Sequence, residues 1–169
     1  MPRPPRDATG GRIYHIINRG VHRQVLFEND EEYLLFQQLI GRAQQRIAMR
    51  ILAYCLMRNH WHFAVWPERT GAISAFAQWL TCTHACHFNR SRNLVGHAYQ
   101  GRFTSVVVRD ERQLLTLLRY IEANPRRANL VERAECWRWS SLTPSPYIRL
   151  TESPCPRPDN WLDLLNEPS

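Results

Sequence analysis

The chain has 169 residues, 44% hydrophobic and 22% charged, which is typical of one globular domain and excludes a disordered chain. No apolar run reaches the roughly 18 residues that a membrane span needs, and residues 1–12 lack the apolar stretch of a secretory signal, so we expect a cytoplasmic protein. All 22 basic residues are arginine, against 15 acidic residues, which excludes lysine chemistry such as a Schiff base and favours an anionic partner.

Hydrophobic periodicity and turn residues predict seven elements in the order strand, helix, strand, strand, helix, strand, helix. In this order they occupy residues 13–18, 30–46, 49–57, 60–66, 70–88, 103–108 and 111–124. Asn29 or Asp30 is the expected cap of the first helix, and Asp110 that of the third. The second helix is expected to begin at Thr70 or Ser74, with a polar loop after it at 89–101.

This order of elements predicts an α+β fold. The first six elements match the split βαβ arrangement of a ferredoxin-like protein, which has a four-stranded antiparallel sheet with two helices on one face. The third helix is additional, and we expect it to cover an edge or the open face of the sheet. Pro125 is expected to stop this helix one residue after Asn124.

The end of the chain differs from the rest in charge. Residues 1–149 hold 21 arginines against 11 acidic residues, a net charge of +10, whereas residues 150–169 have a net charge of −3 and four prolines. We therefore divide the chain into a main domain at 1–149 and an acidic, proline-rich C-terminal tail at 150–169. Four apolar residues of the tail are available for docking: Trp161, Leu162, Leu164 and Leu165.

The five cysteines are expected to be reduced, because their number is odd and no signal sequence is evident. Their only cluster lies at 82–87, where Cys82 and Cys86 share one helical face close to His84 and His87. A zinc site is one interpretation of this cluster, and small cysteines buried on an amphipathic helix are the other.

Strand alternation brings two histidines together. In the predicted strand at 60–66, Trp61, Phe63 and Val65 share the face that packs into the core, so His60 and His62 point to the opposite face. Their spacing is about 6.5 Å at the usual rise of a strand. Two imidazoles at this separation can converge on one divalent cation, although they can equally be polar residues on the wet side of a half-buried strand.

The third helix carries a second pair of polar residues. Tyr120 and Asn124 are four residues apart and therefore lie on the same helical face. A tyrosine and an amide just before a helix-ending proline can both face a site. The alternative is a partly buried tyrosine with an asparagine that caps the end of the helix.

Five motifs surround these residues in the chain: RIYHIINRG at 12–20, AYCLMRNHWHF at 53–63, QGRF at 100–103, YIEANPRRA at 120–128 and WSS at 139–141. In these motifs and in their order, across about 130 residues, the chain resembles the REP-associated tyrosine transposases, which are relatives of the IS200/IS605 transposases in the HUH endonuclease superfamily. Arg23 and Phe27 fit the family's pattern as well, whereas Arg58 and Asn129 stand where a proline and a glycine are common.

The resemblance implies a role for each matching side chain. His60, His62 and Asn124 would be the ligands of a divalent metal, Mg²⁺ or Mn²⁺, and Tyr120 the nucleophile. The activity implied is that of a metal-dependent single-stranded DNA endonuclease and strand transferase, which acts at REP-type hairpins through a 5′-phosphotyrosine intermediate. The alternative is a non-catalytic DNA-hairpin-binding regulator on the same fold.

The same resemblance gives expectations about binding and assembly. Unpaired bases could stack on Tyr14, Trp61 or Tyr99, although Trp61 fits the core better. Apart from the resemblance, the charge of −3 on the tail beside +10 on the main domain indicates that the tail could lie over the DNA groove and restrain activity; the alternative is a poorly ordered end of the chain. The group looks monomeric, although IS200 relatives form dimers whose tyrosine and histidine sites come from different chains. The protein would be a bacterial one, associated with the nucleoid when bound to DNA. Six arginines are the expected DNA contacts: Arg12, Arg19, Arg23, Arg102, Arg126 and Arg127.

Overall fold

A four-stranded antiparallel sheet forms the centre of residues 9–168, the part of the chain that the computed structural model describes. The strands lie in the order β2-β3-β1-β4, and each neighbouring pair is antiparallel. This is the order of a ferredoxin-like split βαβ fold, so the predicted fold class is confirmed. The strands are β1 (Tyr14–Arg19), β2 (Met49–Leu56), β3 (His60–Pro67) and β4 (Thr104–Val107).

Two helices, α1 (Asp30–Arg46) and α2 (Ala72–Arg92), pack against one face of the sheet. Between them and the sheet lie Trp61, Phe63 and Val65, all fully buried, as strand alternation predicts. The burial of these side chains contributes much of the stability, since each large apolar side chain removed from water is worth about 1.5–3 kcal/mol.

The ends of these helices only partly match the prediction. Asn29 caps α1, with its side-chain oxygen accepting from the amide of Glu32 at 3.0 Å. The second helix begins after Gly71, which has no side chain to cap it, and not at Thr70 or Ser74. The predicted loop is wrong at 89–92, which form the last turn of α2, because its polar residues lie on the solvent side of a helix.

The third helix, α3 (Glu111–Arg127), packs on the opposite face of the sheet, against β2 and β3. Asp110 caps it as predicted, accepting from the amide of Gln113 at 2.8 Å. The prediction that Pro125 ends this helix is wrong, since the helix continues to Arg127. Pro125 cannot donate to the carbonyl one turn before it, but the amide of Ala128 donates to the carbonyl of Asn124 and the amide of Leu130 to the carbonyl of Pro125, each at 2.9 Å.

The tail lies on the same face as α3. Leu150 bridges to Ile51 at the edge of β2, and a short helix, α4 (Trp161–Leu165), packs against α3. Trp161 and Leu165 are buried there, so two of the four predicted docking residues reach the core. Both faces of the sheet are therefore covered at β2 and β3, which explains why β2 is an almost continuous apolar run, whereas Thr104 and Val106 of β4 are exposed.

Some expectations concern regions away from the sheet. Residues 1–8, where we expect no secretory signal, lie outside the described part of the chain. Within residues 9–168, no helix combines the length and apolar character needed to cross a membrane. All five cysteines are free, and Cys82 and Cys86 are exposed. The zinc interpretation finds no support, because the described residues contain no group of three histidine, cysteine or acidic side chains placed to hold a metal.

Candidate active site

Strand β3 presents the two predicted histidines to the face of the sheet that α3 covers. Their ring centres are 5.0 Å apart and the rings are nearly perpendicular. His62 is only 1% exposed, whereas His60 is half-buried near the end of the strand. Nδ1 of His60 lies 2.7 Å from the side-chain oxygen of Asn59, in the turn that joins β2 to β3.

Helix α3 brings the other two predicted residues to the same place. The amide nitrogen of Asn124 is 3.2 Å from Nε2 of His62. The ring of Tyr120 stands perpendicular to that of His62, with 5.4 Å between their centres. Because Tyr120 is 39% exposed, a molecule approaching from solvent can reach its phenol group while the imidazole behind it remains buried. The structure thus gathers His60, His62, Tyr120 and Asn124 at one site.

A third histidine, His15 on β1, completes the cluster. Its Nε2 lies 2.9 Å from Nδ1 of His62, and the two rings are stacked with 5.2 Å between centres. His15 also contacts the edge of the Tyr120 ring. His15 is not among the site residues predicted from the sequence, although alternation along β1 indicates its position. Tyr14 and Ile16 are buried toward α1 and α2, so His15 must face α3.

The site favours neutral imidazoles. Burial, reinforced by the nearby Arg19, lowers the pKa of His60 to about 4. Burial lowers the pKa of His62 to about 2, with smaller contributions from His60, His15 and Arg19. Burial also lowers the pKa of His15. At neutral pH all three rings therefore carry one proton and one lone pair each.

These residues fit the donor set of a divalent cation. Neutral imidazole nitrogens and an amide oxygen are both metal ligands, and the oxygen is of the type that Mg²⁺ and Mn²⁺ prefer. The Asn124 amide presents its nitrogen to His62, and half a turn about its last bond would present the oxygen instead. In the described residues the histidines and acidic groups form no three-ligand set by themselves, so Asn124 and water would complete the shell.

A buried carboxylate fixes the helix that carries Tyr120 and Asn124. Glu122 is 2% exposed and accepts hydrogen bonds from three separate segments. The donors are the Ser141 hydroxyl at 2.8 Å, the Arg157 guanidinium at 2.9 Å and the Trp161 indole at 2.7 Å. Because Glu122 and Asn124 are two residues apart and lie on different sides of α3, these bonds and the contact between Asn124 and His62 together hold the helix in its orientation. Glu122 is not among the residues predicted from the sequence, although an acidic residue between Ile121 and Ala123 in an apolar stretch indicates a buried carboxylate.

The six predicted DNA-contacting arginines have different surroundings. Arg19 lies opposite His60 in the β1–β3 register, and the Arg127 guanidinium is 5.9 Å from the centre of the Tyr120 ring. Arg126 donates to the backbone carbonyl of Glu167 in the tail, so this guanidinium is already engaged. The other three are exposed: Arg12, Arg23 and Arg102.

The prediction that unpaired bases stack on Tyr14 or Tyr99 is wrong, whereas Trp61 lies in the core, as alternation along β3 predicts. Tyr14, Trp61 and Tyr99 are all buried, and none offers a ring face to solvent. The Tyr14 hydroxyl donates to the carbonyl of Thr9, and the Trp61 indole donates to the Tyr99 hydroxyl. These aromatic residues pack the core because the face of β3 that carries Trp61 is covered by two helices.

Solved structures show a similar fold. The structure of the REP-associated tyrosine transposase bound to a REP hairpin superimposes with a TM-score of 0.69 and 17% identity, over 94% of this chain and 98% of that one. The tRNA(His) guanylyltransferase of Saccharomyces cerevisiae superimposes with a TM-score of 0.53 and 9% identity, over 76% of this chain and 65% of that one. Proteins of different function thus share this sheet, and the fold by itself does not decide the activity.

The sequence comparison does decide the family. No curated protein matches the chain significantly. The family model described as "Transposase IS200 like" matches residues 10–124. That span begins before β1 and ends at Asn124, so it includes all five residues of the site. With more than half of its length matched, the chain belongs to the IS200-like transposase family, whose members act on DNA.

Proposed function

We propose that this protein is a metal-dependent single-stranded DNA endonuclease and strand transferase that acts at REP-type hairpins. The observation that carries this proposal is the exposed Tyr120 phenol beside the buried His62 and the half-buried His60 within one chain. The solved transposase of similar fold was bound to a REP hairpin, and this chain, with a net charge of +7, suits the same class of ligand.

In the proposed reaction, the phenolic oxygen of Tyr120 attacks the phosphorus of a phosphodiester. The new bond joins the tyrosine oxygen to phosphorus, and the bond from phosphorus to the 3′ oxygen breaks. The phenolic proton leaves to solvent and the departing oxygen takes up a proton, which gives a 5′-phosphotyrosine link and a free 3′-hydroxyl. One phosphodiester replaces another, so attack by a second 3′-hydroxyl reverses the step without ATP.

His60, His62 and Asn124 would hold Mg²⁺ or Mn²⁺. When bound, such a cation polarises a phosphate oxygen and neutralises charge in the transition state. The residues of the chain hold the phenol and the substrate phosphate in position. Glu122 holds the helix of Tyr120, and Arg19 and Arg127 add positive charge beside the site, where the phosphate backbone of the substrate would lie.

Covalent adduct formation tests the proposal. A 3′-labelled single strand containing a REP hairpin should give a protein-linked band on a denaturing gel with Mg²⁺ or Mn²⁺, and none with a chelator. Tyr120→Phe should abolish the band. Tyr147→Phe is the matched control, since Tyr147 is 42% exposed and far along the chain from the site. Hairpin binding without any adduct, equal with and without chelator, would instead identify a DNA-binding regulator.

We also propose that the protein acts as a monomer. Tyr120 reaches His62 within one chain, so a second copy is not needed to complete the site. Analytical ultracentrifugation should give the mass of one chain for the protein alone, and the mass of one chain plus one hairpin for the protein with DNA. A dimer that is required for adduct formation would overturn this assignment.

A further inference from the structure

The tautomer of His60 follows from its neighbour in the β2–β3 turn. The side-chain nitrogen of Asn59 donates to the backbone carbonyl of Arg23 at 3.3 Å, which fixes the amide with its oxygen toward His60. A carboxamide oxygen can only accept a hydrogen bond. Nδ1 of His60, 2.7 Å from that oxygen, therefore carries the proton. The lone pair of the ring is left on Nε2.

The tautomer of His62 follows from two contacts. The amide nitrogen of Asn124 can only donate, so Nε2 of His62 accepts and bears the lone pair. A neutral ring has a single proton, which must then lie on Nδ1 and point at Nε2 of His15, 2.9 Å away.

The position of His15 is itself constrained by the sheet. It pairs with Ala64 in the β1–β3 register, and the small Ala64 leaves room for its ring to stack against that of His62 with an angle of 20°. A stacked ring on a central strand has little freedom to turn, so its acceptor nitrogen stays in place.

We propose that His15 and Asn59 are positioning residues that hold His62 and His60 in the same tautomer, with the proton on Nδ1 and Nε2 free for a cation. This inference rests on the proposed function, because it concerns the site at which that function places a metal. Histidine ligands of metals are usually oriented by a carbonyl or carboxylate on the other ring nitrogen. Here both partners are neutral side chains, which orient the rings without adding negative charge.

Metal binding to the full-length protein without DNA tests the inference. Mn²⁺ affinity can be measured by the loss of the free-ion signal in electron paramagnetic resonance. His15→Leu, which removes the acceptor at similar volume, should weaken Mn²⁺ binding by about 10–100-fold, the usual effect of removing such a partner. His15→Gln, which keeps an acceptor oxygen, should stay within a few-fold of the unaltered protein. Asn59→Leu should weaken binding as His15→Leu does.

His87→Leu is the matched control, since His87 is an exposed histidine on α2, and it should bind Mn²⁺ as the unaltered protein does. Equal Mn²⁺ affinity in His15→Leu, His15→Gln and the unaltered protein would overturn the inference. That result would leave the proposed function intact if Tyr120 still formed an adduct. Conversely, the expected order of affinities without any adduct would support the inference and contradict the proposed function.

Nuclear magnetic resonance of the unaltered protein gives a test that does not depend on folding of a variant. Long-range ¹H–¹⁵N correlations of the imidazole rings distinguish the two neutral tautomers. We expect His60 and His62 both to carry their proton on Nδ1. A proton on Nε2 of either ring would overturn the inference.

Discussion

The side-chain amide of Asn124 lies 3.2 Å from Nε2 of His62, although 62 positions separate the two residues in the chain. This contact joins the exposed end of α3 to a central strand of the sheet. It therefore sets the distance between the part of the site that carries the phenol and the part that carries the imidazoles.

Asn124 should be needed for metal binding and for the adduct. Asn124→Leu removes both amide atoms and leaves Nε2 of His62 without its partner, so Mn²⁺ affinity and adduct yield should each fall at least about 10-fold. Asn124→Asp keeps an oxygen ligand and should retain more Mn²⁺ binding. Titration with Mn²⁺ and the denaturing gel measure the two effects. Asn124→Leu with unchanged adduct yield would show that this side chain is not part of the site.

Folding stability should decrease as the pH falls below about 6.5. Burial lowers the pKa of His60 to about 4 and that of His84 to about 3, whereas the ordinary value is 6.5. Between these values the unfolded chain binds protons that the folded chain does not, so acid favours unfolding. Above pH 6.5 both states are neutral and the contribution is absent.

Urea unfolding at several pH values measures this effect. The free energy of unfolding should fall between about pH 6.5 and pH 5, with a slope that approaches about 1.4 kcal/mol per pH unit for each fully buried histidine. Stability that is constant over this range would mean that the buried histidines take up protons in the folded state.

Removing the Glu122 carboxylate should strongly destabilise the fold. Glu122→Ala leaves the Arg157 guanidinium and the Trp161 indole without their buried acceptor, which should cost about 3–5 kcal/mol. Glu122→Gln keeps an acceptor and should cost less. Glu132→Ala, an exposed acid beyond the end of α3, should change stability by no more than about 0.5 kcal/mol. If Glu122→Ala unfolds at the same urea concentration as Glu132→Ala, the carboxylate does not anchor the helix.

The acidic end of the tail should weaken DNA binding through one residue. The Glu167 carboxylate lies 2.7 Å from the Arg119 guanidinium, one residue from Tyr120. Glu167→Ala should free this charge, tighten single-strand binding a few-fold and steepen its salt dependence by up to about 0.7 in log–log slope. The pair is exposed, so stability should change by less than about 1 kcal/mol. Glu152→Ala is the control, and equal DNA affinity in both variants would show that Glu167 does not restrain binding.

Glu167→Ala tests whether the tail restrains DNA binding and cleavage more sharply than truncation of the chain after Arg149 does. Truncation also removes Trp161 and Leu165, which are buried against α3, and Arg157, which binds Glu122. A change in cleavage by the truncated protein would then combine the loss of negative charge with the exposure of a core.

Local patterns in the sequence are sufficient for most of the fold. Alternation along β3 places Trp61 and His62 on their correct faces, because one face is fully apolar and the spacing of a strand is fixed. The caps Asn29 and Asp110 are local hydrogen-bond patterns and are also predictable. The end of α3 is not predictable in this way, because packing of the last turn outweighs the tendency of Pro125 to end the helix.

The site is predictable only in part, because some of its residues act through contacts that are distant in the sequence. His60, His62, Tyr120 and Asn124 stand out by spacing, and the resemblance to a family links them. His15 and Glu122 act through residues distant in sequence: His15 is 47 positions from His62, and Glu122 is 39 positions from Trp161. Their partners become evident only when the strand register and the path of the tail are known.

Because Glu122 anchors α3 within its own chain, two inactive variants of this protein should not restore each other's activity when they are mixed. A protein with Tyr120→Phe keeps its imidazoles, and one with His62→Ala keeps its phenol, so each retains one half of the machinery. Where neighbouring copies exchange helices, mixing two such proteins restores some functional sites. Here Glu122 binds Ser141 and Arg157, which also bind Tyr54 and Leu52 of β2 in the same chain, so the two defects should fail to complement each other at any mixing ratio.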